Sequence, residues 1–155
     1  MFCNSLPSIL ISRAFSAPVA NKIASYSRIS DILRCLESTA DNHSSIEICA
    51  LIGYSQEENL YYLSFENNIS PDPRNFFCIS PARYLKFKQS YKIIAIFHSH
   101  VSGDEKASPF DIKMAENCCV PFMIFSLNSR KFNFYEPQNK EYDVNLVSRF
   151  KENFL

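Results

Sequence analysis

Glycine is scarce: Gly53 and Gly103 are the only two in 155 residues. No glycine-rich phosphate loop can be built from that supply. No excess of charge exists either, since 16 basic and 16 acidic residues cancel to a formal net charge of zero. A neutral chain lacks the broad positive field of a general nucleic-acid binder, so no nucleic-acid partner is expected. No apolar run approaches the roughly 20 residues that cross a bilayer as a helix, so no membrane span is expected. The six cysteines (Cys3, Cys35, Cys49, Cys78, Cys118, Cys119) form no C-x-x-C pair and no evident disulfide framework. They read as reduced, mostly buried thiols of a cytoplasmic protein.

Apolar and aromatic residues are plentiful. The chain is 46% hydrophobic, with 14 Phe and 8 Tyr, which suits one domain with one sizeable core. Residues 1–20 show no sustained period and read as an irregular N-terminal arm, leaving 21–155 as the domain. The spacing of Ile29, Ile32, Leu33 and Leu36 predicts a helix over about Ser27–Ala40. IEICALIGY, from Ile46, and Leu60–Phe65 read as strands on either side of a polar turn. Pro71 and Pro73 make 67–75 a loop, and Phe76–Ile79 a short strand after it. A helix is expected over Pro81–Gln89, then a buried strand, YKIIAIF, over Tyr91–Phe97. Another helix begins at Ser108 and stops before Pro121. PFMIFSL and FNFYEP complete the strands, and the tail from Lys140 is a final strand or helix. Helices and strands intermingle, so the fold class is α/β with a central mixed sheet flanked by helices.

The segment HSHVSGDEKASPFD, residues 98–111, carries the chemistry. His98 and His100 are two apart, so in an extended chain both imidazoles point to one side. Ser108-Pro109-Phe110-Asp111 reads as a helix start, with Ser108 as N-cap, proline at N1 and Asp111 at N3. Two histidines and one carboxylate make a three-ligand zinc site with an open fourth position, the pattern of catalytic rather than structural zinc. From the residues alone, Asp104 and Glu105 stay open as the carboxylate, and a pair of structural histidines stays open as the plainer reading. His43 reads as solvated in a polar turn, Cys118 and Cys119 as helix-end packing, and Arg28, Arg34 and Arg83 as solvated charges. Among the glutamates, Glu37, Glu47 and Glu66 are not separable as a general base, although Glu47 stands inside an apolar run where an unpaired carboxylate is costly.

The arrangement H-x-H, seven residues, S-x-x-D resembles the JAMM motif of the MPN+ metalloprotease family, here His98, His100, Ser108 and Asp111 with the spacing intact. IEICALIG after the first helix is similar to the family segment that carries the general base, which places that role on Glu47. The stretch ENNISPDPRNFFCISP, residues 66–81, looks like the asparagine-and-proline segment of small bacterial and phage-tail members. The resemblance covers roughly residues 28–136. It implies an MPN-type, cytidine-deaminase-like domain that binds Zn²⁺ through His98, His100 and Asp111. It further implies hydrolysis of a peptide or isopeptide bond with Glu47 as base and Ser108 as oxyanion donor. The implied partners are protein or peptide substrates, either a ubiquitin-like protein or a phage tail component. A non-catalytic MPN scaffold is the other family role, although such members generally lose the ligands. Two positions depart from the pattern: Val101 stands where the family usually has proline, and Ala50 where it has glycine. The SGD at 102–104 is similar to the RadC branch, which commonly has His-Asn-His in place of His-Ser-His. Cys49 is expected to face away from the base.

Overall fold

A computed structural model describes residues 22–154. The 1–20 arm lies outside the described residues. The described chain is α/β: six strands form one mixed sheet, and four helices flank it. The strands are β1 (Ile23–Tyr26), β2 (Cys49–Ser55), β3 (Leu60–Glu66), β4 (Lys92–His100), β5 (Phe122–Ser126) and β6 (Phe132–Tyr135). The helices are α1 (Ile29–Asn42), α2 (Pro81–Ser90), α3 (Pro109–Cys118) and α4 (Val144–Glu152). The sheet order is β1-β3-β2-β4-β5-β6, antiparallel throughout except for the parallel pair β4–β5. A parallel pair needs a crossover connection, and α3 lies in it.

The sheet is apolar on both faces, so its central strands read as continuous hydrophobic runs rather than alternating ones. On one face Ile32, Leu36 and Ala40 of α1 and Leu146, Val147 and Phe150 of α4 pack with Ala50, Ile52, Phe97, Met123 and Phe125. On the other, Tyr84 and Phe87 of α2 and Ala115 of α3 pack with Cys49, Leu51, Ile96 and Phe122. Strand β4 feeds both clusters. Its register against β2 skips Ile94, since Ile52 pairs with Ala95 and Gly53 with Ile93. The extra residue is a bulge that resets the alternation of side chains, so Ile94 and Ala95 share the first cluster. Gly53 sits at this irregularity, where an added Cβ would stand 2.7 Å from the Phe87 ring.

Several elements differ from expectation. Strand β1 was not expected: IASY is a four-residue edge strand, mostly exposed, with no apolar alternation to announce it. The expected strand at 76–79 is reduced to a single bridge at Ile79. Its backbone is spoken for otherwise, with the Cys78 amide on the Asn68 side chain at 3.1 Å and the Cys78 carbonyl on the Ile69 amide at 2.9 Å. The tail is a helix, capped by Asp143, whose Oδ1 accepts from the Leu146 amide at 3.0 Å. Arg83 is not simply solvated. It binds Glu66 through Nε–Oε2 at 3.0 Å and Nη2–Oε1 at 3.2 Å, and the Glu66 side chain is only 2% exposed. Arg28 and Arg34 are exposed, and both pair with Asp31.

Removing the guanidinium leaves a buried carboxylate with little compensation. Arg83→Ala is therefore expected to cost about 2 kcal/mol of stability. Adding Glu66→Gln should recover most of the loss, and urea unfolding of the single and double variants checks it.

Candidate metal centre

Strand β4 ends at the site. His98 and His100, its last alternate residues, lie on one side of the strand. The His98 ring stacks on Phe77, centroids 4.4 Å apart at 20°, and meets Phe122 edge-on at 5.8 Å. That contact seals His98 completely, whereas the His100 side chain keeps 11% exposure. Asp111 arrives from the first turn of α3. Ser108 caps this helix: its Oγ accepts the Asp111 amide at 3.1 Å, and the Asp111 carboxylate accepts the Ser108 amide at 2.8 Å. This reciprocal pair is a capping box, which locks the first helical turn and the direction of the carboxylate with it.

Three side chains converge, Asp111 through both carboxylate oxygens. His98 Nε2 and His100 Nε2 are 3.1 Å apart, His98 Nε2 and Asp111 Oδ1 3.2 Å, and His100 Nε2 and Asp111 Oδ2 3.2 Å. Among the described residues this is the group of three whose His, Cys, Asp or Glu atoms are placed to hold one metal ion. The chemistry of the set fits a cation. His100 Nδ1 lies 2.6 Å from the Asp104 carbonyl oxygen, which only accepts, so the neutral ring carries its proton there. Its Nε2 lone pair then faces the Asp111 carboxylate. Two electron pairs pointed at each other need a proton or a metal between them. The 3.1 Å between the two Nε2 atoms is near the roughly 3.3 Å edge of a tetrahedron with zinc-ligand bonds of about 2.0–2.1 Å. The backbone contact at Nδ1 is the usual second partner of a metal-binding histidine. The His98 Nδ1 atom, by contrast, is buried without a hydrogen-bond partner.

The other carboxylates are disposed elsewhere. Asp104 Oδ1 accepts the Lys106 amide at 3.0 Å, and Glu105 Oε2 accepts the Ser129 hydroxyl at 2.6 Å. Glu37 is held by Arg130 at 2.7 Å and Glu66 by Arg83. Glu47 remains, and it stands beside the triad. The β2–β4 pairing places Cys49 opposite His98, and the Ser99 amide bonds the Ile48 carbonyl at 3.0 Å. Burial pushes the Glu47 carboxyl from its ordinary value near 4.5 to about 8; the His100 charge opposes the rise, and those of Asp111 and Asp72 add to it. Asp111 behaves oppositely: burial would raise it, but hydrogen bonds from His100, His98 and Ser108 hold it well below the usual carboxylate range. Burial lowers His98, while at His100 the Asp111 and Asp104 contacts outweigh burial and raise it.

The site residues read from the sequence thus come together, with one correction. Cys49 does not face away from the base. It is two residues beyond Glu47 and directly opposite His98, so alternation puts it on the side of the sheet that bears His98, packed with Phe77 and Phe122. Its thiol donates to the Glu66 carbonyl at 3.4 Å, and burial pushes its pKa up, so it offers no thiolate. Three contributors escaped the sequence reading: Phe77, Ser99 and Asn68. Ser99 Oγ accepts the Ile48 amide at 2.9 Å, and Asn68 Nδ2 donates to the Glu47 carbonyl at 2.8 Å. The only signal for Asn68 was its place in the asparagine-and-proline segment. His43 is half-buried at the end of α1, and no described helix is long and apolar enough to cross a membrane.

No protein-family model matches the chain, and no curated protein matches it. Among solved structures it is similar to the solution structure of protein DSY2949 from Desulfitobacterium hafniense, at 20% identity over 69% of this chain and 76% of that one, with a TM-score of 0.48. A likeness of that degree carries no argument about function.

Two outcomes are expected. Purified protein reconstituted with zinc should hold about one ion per chain, and His98→Ala and Asp111→Ala should each lose it, as read by elemental analysis. In metal-free protein, Glu47 has its folded pKa raised to about 8, so its contribution to stability is full below about pH 4.5 and is lost as pH rises through 8. The loss is on the order of a few kcal/mol, at about 1.4 kcal/mol per pKa unit. Glu47→Gln should remove most of that slope in a series of melting curves from pH 5 to pH 9.

Proposed function

We propose that this chain is a zinc-dependent hydrolase of the JAMM/MPN+ type that cleaves a peptide or isopeptide bond. The observation that carries the reading is the pairing of two unlike carboxylates at one site. Asp111 is held ionised among the imidazoles, and Glu47, desolvated beside them, is raised toward neutrality. Titratable neighbours pushed apart in this way mark a division of labour between ligand and acid–base group.

His98, His100 and Asp111 would hold the metal. Zinc bound there supplies Lewis acidity toward water and toward the scissile carbonyl. Glu47 takes a proton from the attacking water on a carboxylate oxygen and returns it to the leaving amine nitrogen as the carbon–nitrogen bond breaks. A carboxyl near pH 8 in the metal-free site would ionise more readily beside a divalent cation, which brings its pKa toward the neutral range a base needs. Ser108 has two uses. Its Oγ accepts the Asp111 amide and also donates to Asp111 Oδ2 at 2.7 Å. Capping consumes a lone pair only, so a turn of the hydroxyl proton toward a developing oxyanion would keep the cap and give up the bond to Asp111 Oδ2.

The substrate is a protein or peptide, with a ubiquitin-like protein and a phage tail protein as the two classes that follow from the sequence resemblance. The test is turnover of C-terminal extensions of ubiquitin-like proteins and of tail-protein fragments by zinc-loaded protein. Glu47→Gln should keep its zinc and lose at least about 100-fold in kcat. Full zinc occupancy with no turnover of either class would favour the scaffold reading instead.

A further inference from the structure

Asn68 is a polar residue, 6% exposed, two positions beyond the end of β3. Its amide is spent to the full. Nδ2 donates to the carbonyls of Glu47 at 2.8 Å and Phe76 at 2.9 Å, with Pro73 more distant at 3.3 Å. Oδ1 accepts the amides of Ser70 at 3.0 Å and Cys78 at 3.1 Å. We propose that Asn68 is a positioning residue for Glu47, clamping the backbone from which the base is aimed at the metal triad. The proposal rests on the hydrolytic reading above for what the clamp is used for.

The need for a clamp follows from where β2 meets β4. The paired register ends at Cys49 and His98, beyond which the Ser99 amide still bonds the Ile48 carbonyl at 3.0 Å. The Ile48 amide finds the Ser99 hydroxyl at 2.9 Å in place of a strand carbonyl. The Glu47 amide turns to the Pro73 carbonyl at 2.7 Å, and the Glu47 carbonyl to Asn68. The 67–80 loop therefore holds the Glu47 amide and carbonyl, while the Ile48 amide of the second peptide is held by Ser99 of β4. Asn68 organises that same loop. Through Phe76 and Cys78 it also grips both neighbours of Phe77, whose ring stacks on His98. One side chain thus ties the base to the wall of a ligand histidine. The chemistry asks for a primary amide, because the Glu47 and Phe76 carbonyl oxygens need donors and two backbone amides need an acceptor in the same small space. Displacement of a catalytic group by about 1 Å can cost on the order of 100-fold in rate, which is the scale on which such a clamp acts.

Two variants separate the donors from the acceptor. Asn68→Asp keeps the size and the oxygen facing Ser70 and Cys78 but sets a second oxygen against the three carbonyls. Asn68→Ala removes both sets. In zinc-loaded protein both variants should hold one ion per chain, keep KM within about twofold, and lose at least about tenfold in kcat. Amide hydrogen exchange, followed by NMR, should quicken at Glu47 in Asn68→Asp while Cys78 stays protected. That arm needs no substrate, so it decides the clamp even if wild-type protein turns nothing over, an outcome that would count against the hydrolytic reading alone. If Asn68→Ala does not fold, Asn68→Asp decides. Wild-type kcat, or unchanged exchange at Glu47, in Asn68→Asp would overturn the proposal.

Discussion

Buried ionisable groups must be answered locally, and the arrangement at the end of β4 is governed by that demand. His98 and Asp111 are within a few per cent of full burial, and Glu47 is 6% exposed. Asp111 is answered by the Ser108 amide and the Ser108 hydroxyl, with both imidazoles 3.2 Å away. Glu47 has its backbone satisfied, but its charge is opposed by burial and by the neighbouring carboxylates. The region therefore carries two negative charges in prospect. A cation held by the triad would relieve both at once, which is why the ligand set and the raised carboxyl belong to a single argument.

The scaffold is arranged so that this polar cluster does not compromise the core. Strand β4 is buried on both faces over Ile94–Phe97 and turns polar only in its last three residues. The one parallel pairing in the sheet, β4 with β5, obliges the chain to cross over, and the crossover brings the start of α3 back to the strand end. A helix start presents a carboxylate at a fixed angle when it is capped, and here the cap and the ligand are the same pair of residues. The topology thus delivers Asp111, and the capping box sets its direction.

The parts legible in the sequence were those with strong local grammar. His-x-His at the end of an apolar run, and Ser-Pro-x-Asp at a helix start, identify their own geometry from spacing alone. The long strands and α1 were visible by their apolar periods. What was not legible depended on contacts across the sheet. Strand β1 is an exposed edge whose four residues gain order only by pairing with β3. The side on which Cys49 lies is fixed by counting from Glu47, and its partner His98 makes the point directly. Asn68 and Ser99 are polar residues whose roles exist only because β2 leaves its ladder at Glu47, an event no single-chain pattern announces. Arg83 likewise became part of the interior only through Glu66, 17 residues earlier.

A purely structural cluster and a working one differ in what they tolerate. A structural histidine pair is most stable when every nitrogen is satisfied and every nearby carboxylate is neutralised or bonded. Here His98 Nδ1 is unsatisfied, the Nε2 atoms of the two histidines face each other, and Glu47 is desolvated. Each of these costs stability in the metal-free chain. The same chain satisfies comparably buried polar groups elsewhere with care: Glu66 has Arg83 and Ser64, and Asn68 fills every hydrogen-bonding position it has. Among the described residues, the buried side-chain atoms without a partner are His98 Nδ1, where the ligand atoms converge, and Asn67 Oδ1. The donor set of His98, His100 and Asp111 is one that could hold a metal ion, with the desolvated Glu47 carboxyl beside it.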